Sequence, residues 1–187
     1  MHGVRPLIPT RSCGPCRACC VVYDIDDKPV HKNAQVVCPH HTGDGCGIYE
    51  TRPQTCRTFF CQWRYDPILA EEWRPDLSGV VVTTEPVDSG ASNGHAITLV
   101  VFGDHAVILD DGFAIYVATM LDRGYEALLR IPRGVGRVMP QAKLSLFTAE
   151  GLSTGNLGLV KEGIAQAYRA LMAHPAPLAS GQNGPHA

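Results

Sequence analysis

The chain has 187 residues, 45% of them hydrophobic, and a formal net charge of −2. That is enough apolar material for one domain, or for one domain and a small appendage. The near-neutral balance without a long Lys/Arg run argues against nucleic-acid binding, and no window nears the ~18 apolar residues of a membrane span. The N-terminus, MHGVRPLIPTRSC, lacks the apolar run of a signal peptide, so the expected setting is cytoplasmic.

In chain order, residues 1–12 read as a flexible lead-in. Residues 13–66 read as a cysteine-cluster domain, because all eight cysteines fall between Cys13 and Cys61. Within it, TRPQTCRTFFCQW predicts a helix with Thr51 as N-cap and Pro53 in the first turn, carrying Cys56, Phe60 and Trp63 on one face. Residues 67–173 read as an α+β region. GVVVTTE predicts a strand over 79–84. AITLVVF and HAVILD predict two strands joined as a hairpin at Gly103-Asp104, a glycine leading a two-residue turn. These runs do not alternate, which suits strands covered on both faces.

DDGFAIYVATMLDRGY predicts a helix capped by Asp110 or Asp111, ended by Gly124, with Phe113, Val117, Met120 and Leu121 in its apolar stripe. ALLRIP predicts another strand. TGNLGLVKEGIAQAYRALMAH predicts a final helix with Leu159, Ile164, Ala167, Tyr168 and Leu171 facing inward. Residues 174–187, rich in Pro, Gly, Ala and Ser, are expected to be disordered. The expected fold is α+β: a small loop-rich cysteine region packed on a short antiparallel sheet with two or more helices.

The cysteines carry the functional signal. CGPCRACC holds Cys13, Cys16, Cys19 and Cys20 in the pattern C-x2-C-x2-C-C, and Cys38, Cys46, Cys56 and Cys61 follow. Two residues between thiolates let a tight turn aim both sulfurs at one ion. In a reducing compartment such crowding points to metal ligation rather than to structural disulfides. Cys19 and Cys20 are adjacent, so their side chains are expected to diverge, toward different metals or with one of them in the core. Seven residues separate Cys38 from Cys46, and Gly43, Gly45 and Gly47 let that loop fold back on the first cluster. His40 and His41 lie inside the loop and have ligand chemistry, although a plain loop histidine is the simpler reading. On one continuous helix Cys61 would stand about 140° from Cys56, which ranks it below Cys56 as a ligand of the same ion. Arg17, Arg52, Arg57 and Arg64 are placed to offset thiolate charge by hydrogen bonding to sulfur.

Together, C-x2-C-x2-C-C and the later CGIYETRPQTCRTFF resemble the YkgJ-like cysteine-cluster family. The matching residues are Cys13, Cys16, Cys19, Cys20, Cys38, Cys46, Ile48, Tyr49, Glu50, Arg52, Pro53, Cys56, Arg57 and Phe59. The resemblance spans roughly residues 13–64, and it implies chelation of a zinc or iron ion, without a reaction. A similar motif occurs in flagellin lysine N-methylases, which raises an alternative: a [4Fe-4S] cluster with redox or methyl-transfer-related activity. The C-x2-C-x2-C spacing suits a cluster, but the proline that often ends such runs is missing after Cys20. RGVGR and GLSTGNLG read as loops rather than as a cofactor site. A Cys13–Cys16 redox pair ranks last, for want of a thioredoxin-like context.

No Walker A, G-x-S-x-G or H-E-x-x-H motif is present. The Asp26-Asp27 and Asp110-Asp111 pairs read as turns or caps, His95 and His105 as strand-edge residues, and Trp63 and Trp73 as packing. The partner expected is a metal ion, with no nucleic acid and no membrane.

Overall fold

The computed structural model describes residues 6–88 and 91–178. The first five residues of the expected lead-in and residues 179–187 of the expected tail lie outside them. The elements are α1 (Ala18–Val22), β1 (Ile25–Asp27), β2 (Val30–Lys32), α2 (Gln54–Thr58), α3 (Pro75–Ser78), β3 (Val80–Pro86), β4 (His95–Val101), α4 (Asp111–Asp122), β5 (Glu126–Arg130), β6 (Gln141–Lys143), α5 (Ser145–Thr154) and α6 (Leu157–Ala173), with four short 3-10 turns. The class is α+β. Among the described residues, no helix is long and apolar enough to cross a membrane.

Four strands form one sheet in the order β3-β4-β5-β6. β3 pairs antiparallel with β4, from Val80 opposite Val101 to Pro86 opposite His95, and β6 pairs antiparallel with β5. The β4–β5 pair is parallel, with Ala96 opposite Glu126 and Val100 opposite Arg130. The sheet is therefore mixed rather than antiparallel. A parallel return needs a crossover, and α4 supplies it.

Both sheet faces are covered, which explains why the apolar runs do not alternate. Val80, Val82, Ile97, Leu99, Val101, Ala127 and Leu129 pack with Phe113, Val117 and Met120 of α4 and Val160, Ile164, Ala167 and Leu171 of α6. Val81 and Val100 point the other way, onto Ala18 and Val22 of α1. Helix α1 thus lies on the face opposite the long helices, while Trp63 and Cys61 reach the main core. Its two-stranded β1–β2 ribbon turns at a cis Lys28–Pro29 bond.

HAVILD is not a strand. Residues 105–109 form a 3-10 turn whose first free N–H, that of Ala106, donates to Asp104 Oδ1 at 2.9 Å. Gly103 serves backbone contact instead of a hairpin turn. A Cβ on Gly79, where φ is +69°, would lie 2.8 Å from Gly103 Cα, so both positions need a bare backbone. His105 accordingly meets α6, with Nδ1 2.9 Å from Tyr168 Oη. His95 opens β4.

α5 and α6 cross at glycines. A methyl on Gly163 would fall 2.2 Å from the Phe147 carbonyl oxygen. Gly163→Ala is therefore expected to destabilise by about 1–3 kcal/mol through overpacking, seen as a drop of several degrees in the thermal midpoint. An unchanged midpoint would contradict this crossing.

The segments flanking these elements are tied down where they are described. Ile8 N–H donates to the Arg64 carbonyl at 2.8 Å, and Arg11 donates to the carbonyls of Trp63 and Asp66. At the other end Val138 N–H donates to the Pro177 carbonyl at 2.9 Å, and Ala176 is buried.

Candidate metal centre

The first four cysteines sit on a turn and a short helix. Gly14 takes φ +47°, and Cys16 N–H donates to the Cys13 carbonyl at 2.8 Å. Cys19 and Cys20 ride on α1, five residues long and without a side-chain cap. So short a helix does not hold itself in water; burial of Ala18 and Val22 on the sheet holds it.

The later cysteines come back to this helix along the backbone. Cys38 N–H donates to the Cys20 carbonyl at 3.0 Å. The glycine-rich loop closes as a small ribbon in which His41 bridges Cys46, with Gly47 N–H on the His40 carbonyl at 2.8 Å. Cys56 lies in α2, whose Thr55 N–H and Oγ1–H both donate to Asp27 Oδ2 at 2.9 Å. These bonds hold the Asp27 carboxyl below its usual range. A depressed carboxyl stabilises above its unfolded pKa of about 3.9, and that contribution is lost as pH falls through the lower folded value. Acidification below about pH 4 is therefore expected to speed amide exchange at Thr55 and Cys56. Asp27→Ala should do the same at neutral pH; unchanged exchange in that variant would refute the tether.

The predicted continuous helix is interrupted. Thr51 ends a 3-10 turn, Pro53 is the N-cap of α2, and the chain becomes extended at Phe59. Phe59 leaves the helix to pack on Tyr23, with ring centroids 5.1 Å apart. Cys56, Phe60 and Trp63 therefore do not share a helix face. Cys61 is freed from its helical angle to Cys56, and it joins Cys16 in the packing of Ala18, Val22, Val81 and Val100. Cys20 and Cys56 instead pack on buried Cys38, with Ile25, Val30 and Ile48.

The thiols are all free. Burial pushes the Cys16 thiol up to about 11, with the charge of Asp76 and the Cys61 thiol adding to the rise. Cys61 is raised by burial and then by Cys13; Cys56 is raised by burial and then by Cys20, Cys38 and Cys46. The neighbouring Cys19 and Cys20 thiols act on each other as donor and acceptor, which holds Cys19 well above the usual thiol range and brings Cys20 down to about 7.

Nearby cations are unevenly engaged. Arg64 Nη1 donates to Cys13 Sγ at 3.5 Å. Arg57 is turned to the carbonyls of Glu50 and Arg52, and Arg52 stacks on Tyr49 with 3.8 Å to the ring centroid. Lys32, nearly buried, donates to the carbonyls of Tyr23 and Asn33 and feels Cys38, Cys20 and Cys19. Two of these contributors escaped the sequence reading. Lys32 had no motif around it, and Asp76, which accepts a hydrogen bond from Cys16 and both Nε and Nη2 of Arg74, lay in an apparent connection.

His41 is turned away from ligation by its own loop. Gly43 N–H donates to its Nδ1 at 3.1 Å, so the neutral ring carries its proton on Nε2. A ring protonated there offers a metal no lone pair at that nitrogen. His41→Gln is expected to leave bound metal per chain unchanged by elemental analysis; loss of an ion would make His41 a ligand.

Among the described residues, no group of three or more His, Cys, Asp or Glu side chains is arranged to hold a metal ion. The thiols would have to turn toward a common point to do so. The chemistry around them does suit an anionic sulfur centre. His41 Nε2, Arg52 Nε, Trp63 Nε1 and Arg64 Nε are buried nitrogens without a hydrogen-bond partner, and all belong to the cysteine region. Thiolates are acceptors that such donors lack. No family model, curated protein or solved structure matches this chain, so its family resemblance rests on the motifs of residues 13–64 alone.

Proposed function

We propose that this protein chelates zinc or iron through its clustered cysteines, as the resemblance to the YkgJ-like family implies. The reading is carried by eight free thiols on the turn at Cys13, α1, the 38–47 loop, α2 and Cys61, with Cys20, Cys38 and Cys56 packed in one apolar cluster, together with four buried nitrogens of the same region that lack hydrogen-bond partners. Separate segments of chain contribute them, and small apolar clusters set their backbones. Thiolates would supply the ligands, and Arg64 and Lys32 would offset part of their charge. A reducing compartment such as the cytoplasm keeps these thiols available. Elemental analysis of protein purified without oxygen tests the reading: zinc or iron bound in stoichiometric amount supports it. A folded, reduced protein with neither metal contradicts it. Colour decides between the two cofactors, because a cluster absorbs broadly near ~400 nm through thiolate-to-iron charge transfer and a zinc site is colourless.

A further inference from the structure

Resting on the chelating reading, we infer that the eight cysteines form two separate four-thiolate sites, Cys13, Cys16, Cys19 and Cys61 in one and Cys20, Cys38, Cys46 and Cys56 in the other, each for one zinc-like divalent cation. Packing draws the line. Cys16 and Cys61 meet in the apolar cluster against the sheet, built on Ala18, Val22, Val81 and Val100. Cys20, Cys38 and Cys56 meet in another, built on Ile25, Val30 and Ile48. Backbone bonds draw it again. Cys16 N–H reaches the Cys13 carbonyl, whereas Cys38 N–H reaches the Cys20 carbonyl. Cys61 leads directly to Arg64, whose N–H donates to the Cys61 carbonyl at 3.0 Å while its guanidinium reaches Cys13 Sγ.

The 38–47 loop keeps Cys46 with Cys38: His41 N–H donates to the Cys38 carbonyl at 3.0 Å, His41 bridges Cys46, and Ile48 just beyond packs with Cys20, Cys38 and Cys56. Cys19 and Cys20 are neighbours on α1, and with Cys20 packed in the second cluster Cys19 falls to the first. The doubled cysteine is then the seam, one thiol for each site. On loading, each ion displaces four thiol protons to solvent and forms four metal–sulfur bonds, leaving a site charge of about −2.

Co2+ titration of the reduced, metal-free protein, read by native mass spectrometry and by thiolate-to-cobalt absorption, tests the division. The unaltered chain is expected to take two Co2+. The pairs Cys13→Ser with Cys61→Ser, and Cys38→Ser with Cys46→Ser, should each keep one, whereas Cys13→Ser with Cys38→Ser should weaken both. A within-group pair that loses both ions, or an unaltered chain that saturates at one, overturns the division while leaving chelation standing. An unaltered chain that takes no Co2+ overturns the chelating reading itself. Cys61→His and Cys46→His guard against misfolding, since each retains a ligand. Both should still take two Co2+ with charge-transfer intensity reduced at one site, and loss of an equal share from both sites would count against two separate centres.

Discussion

Under the proposed binding of two ions, stripping both from the intact protein is expected to lower its thermal midpoint by roughly 15–30 °C. Free metal at about a thousand times Kd stabilises by ~4 kcal/mol per site, and in a chain of this size each kcal/mol moves the midpoint about 2–4 °C. The loss should concentrate in residues 13–64. There the buried apolar side chains are few: Ala18 and Val22 in one small cluster, Ile25 and Val30 in another, and Trp63 alone in the main core. The sheet and long helices have their own large core and should outlast them. Calorimetry with and without a chelator measures the shift, and amide exchange locates it. A midpoint indifferent to chelation would mean that the cysteine region is held by packing alone.

Phe113→Ala should be the most damaging single substitution outside the cysteines. Phe113 is 1% exposed, sits on the inner face of α4 and stacks on Trp73 with centroids 6.1 Å apart and planes at 18°. Emptying such a site costs about 3–5 kcal/mol in lost burial and residual cavity, or roughly 6–20 °C in midpoint. Because α4 lies across the sheet from α1, the folded variant should carry as much metal as the unaltered protein. A shift under ~2 °C would contradict the placement of Phe113 in the main core.

Much of the fold was legible because its signals are local. The β-branched run at Val80 and the apolar periodicity behind α4 and α6 each point to one element type. Their two-sided burial was visible as missing alternation. The failures have tertiary causes. HAVILD has strand composition, but the Asp104 cap and the backbone contact of Gly79 with Gly103 turn it into a 3-10 segment. The helix after Pro53 stops because Phe59 finds Tyr23, a residue far earlier in the chain. α5 went unread because its burial inverts hydropathy: Leu146 is 76% exposed, while Thr148 is fully buried and Gly151 is needed against α6.

The candidate site shows the same limit. Cysteine spacing singled out the eight thiols of this region, yet it ranked Cys61 low by assuming one unbroken helix. Where α2 ends decides which cysteines Cys61 joins, and Phe59 decides where α2 ends.

The most direct test of the account is X-ray absorption at the metal edge of the protein purified without oxygen. A first shell of sulfur at about 2.3 Å is the predicted result. A shell of oxygen or nitrogen at about 2.0–2.1 Å without sulfur, or no bound metal in the reduced protein, would contradict it.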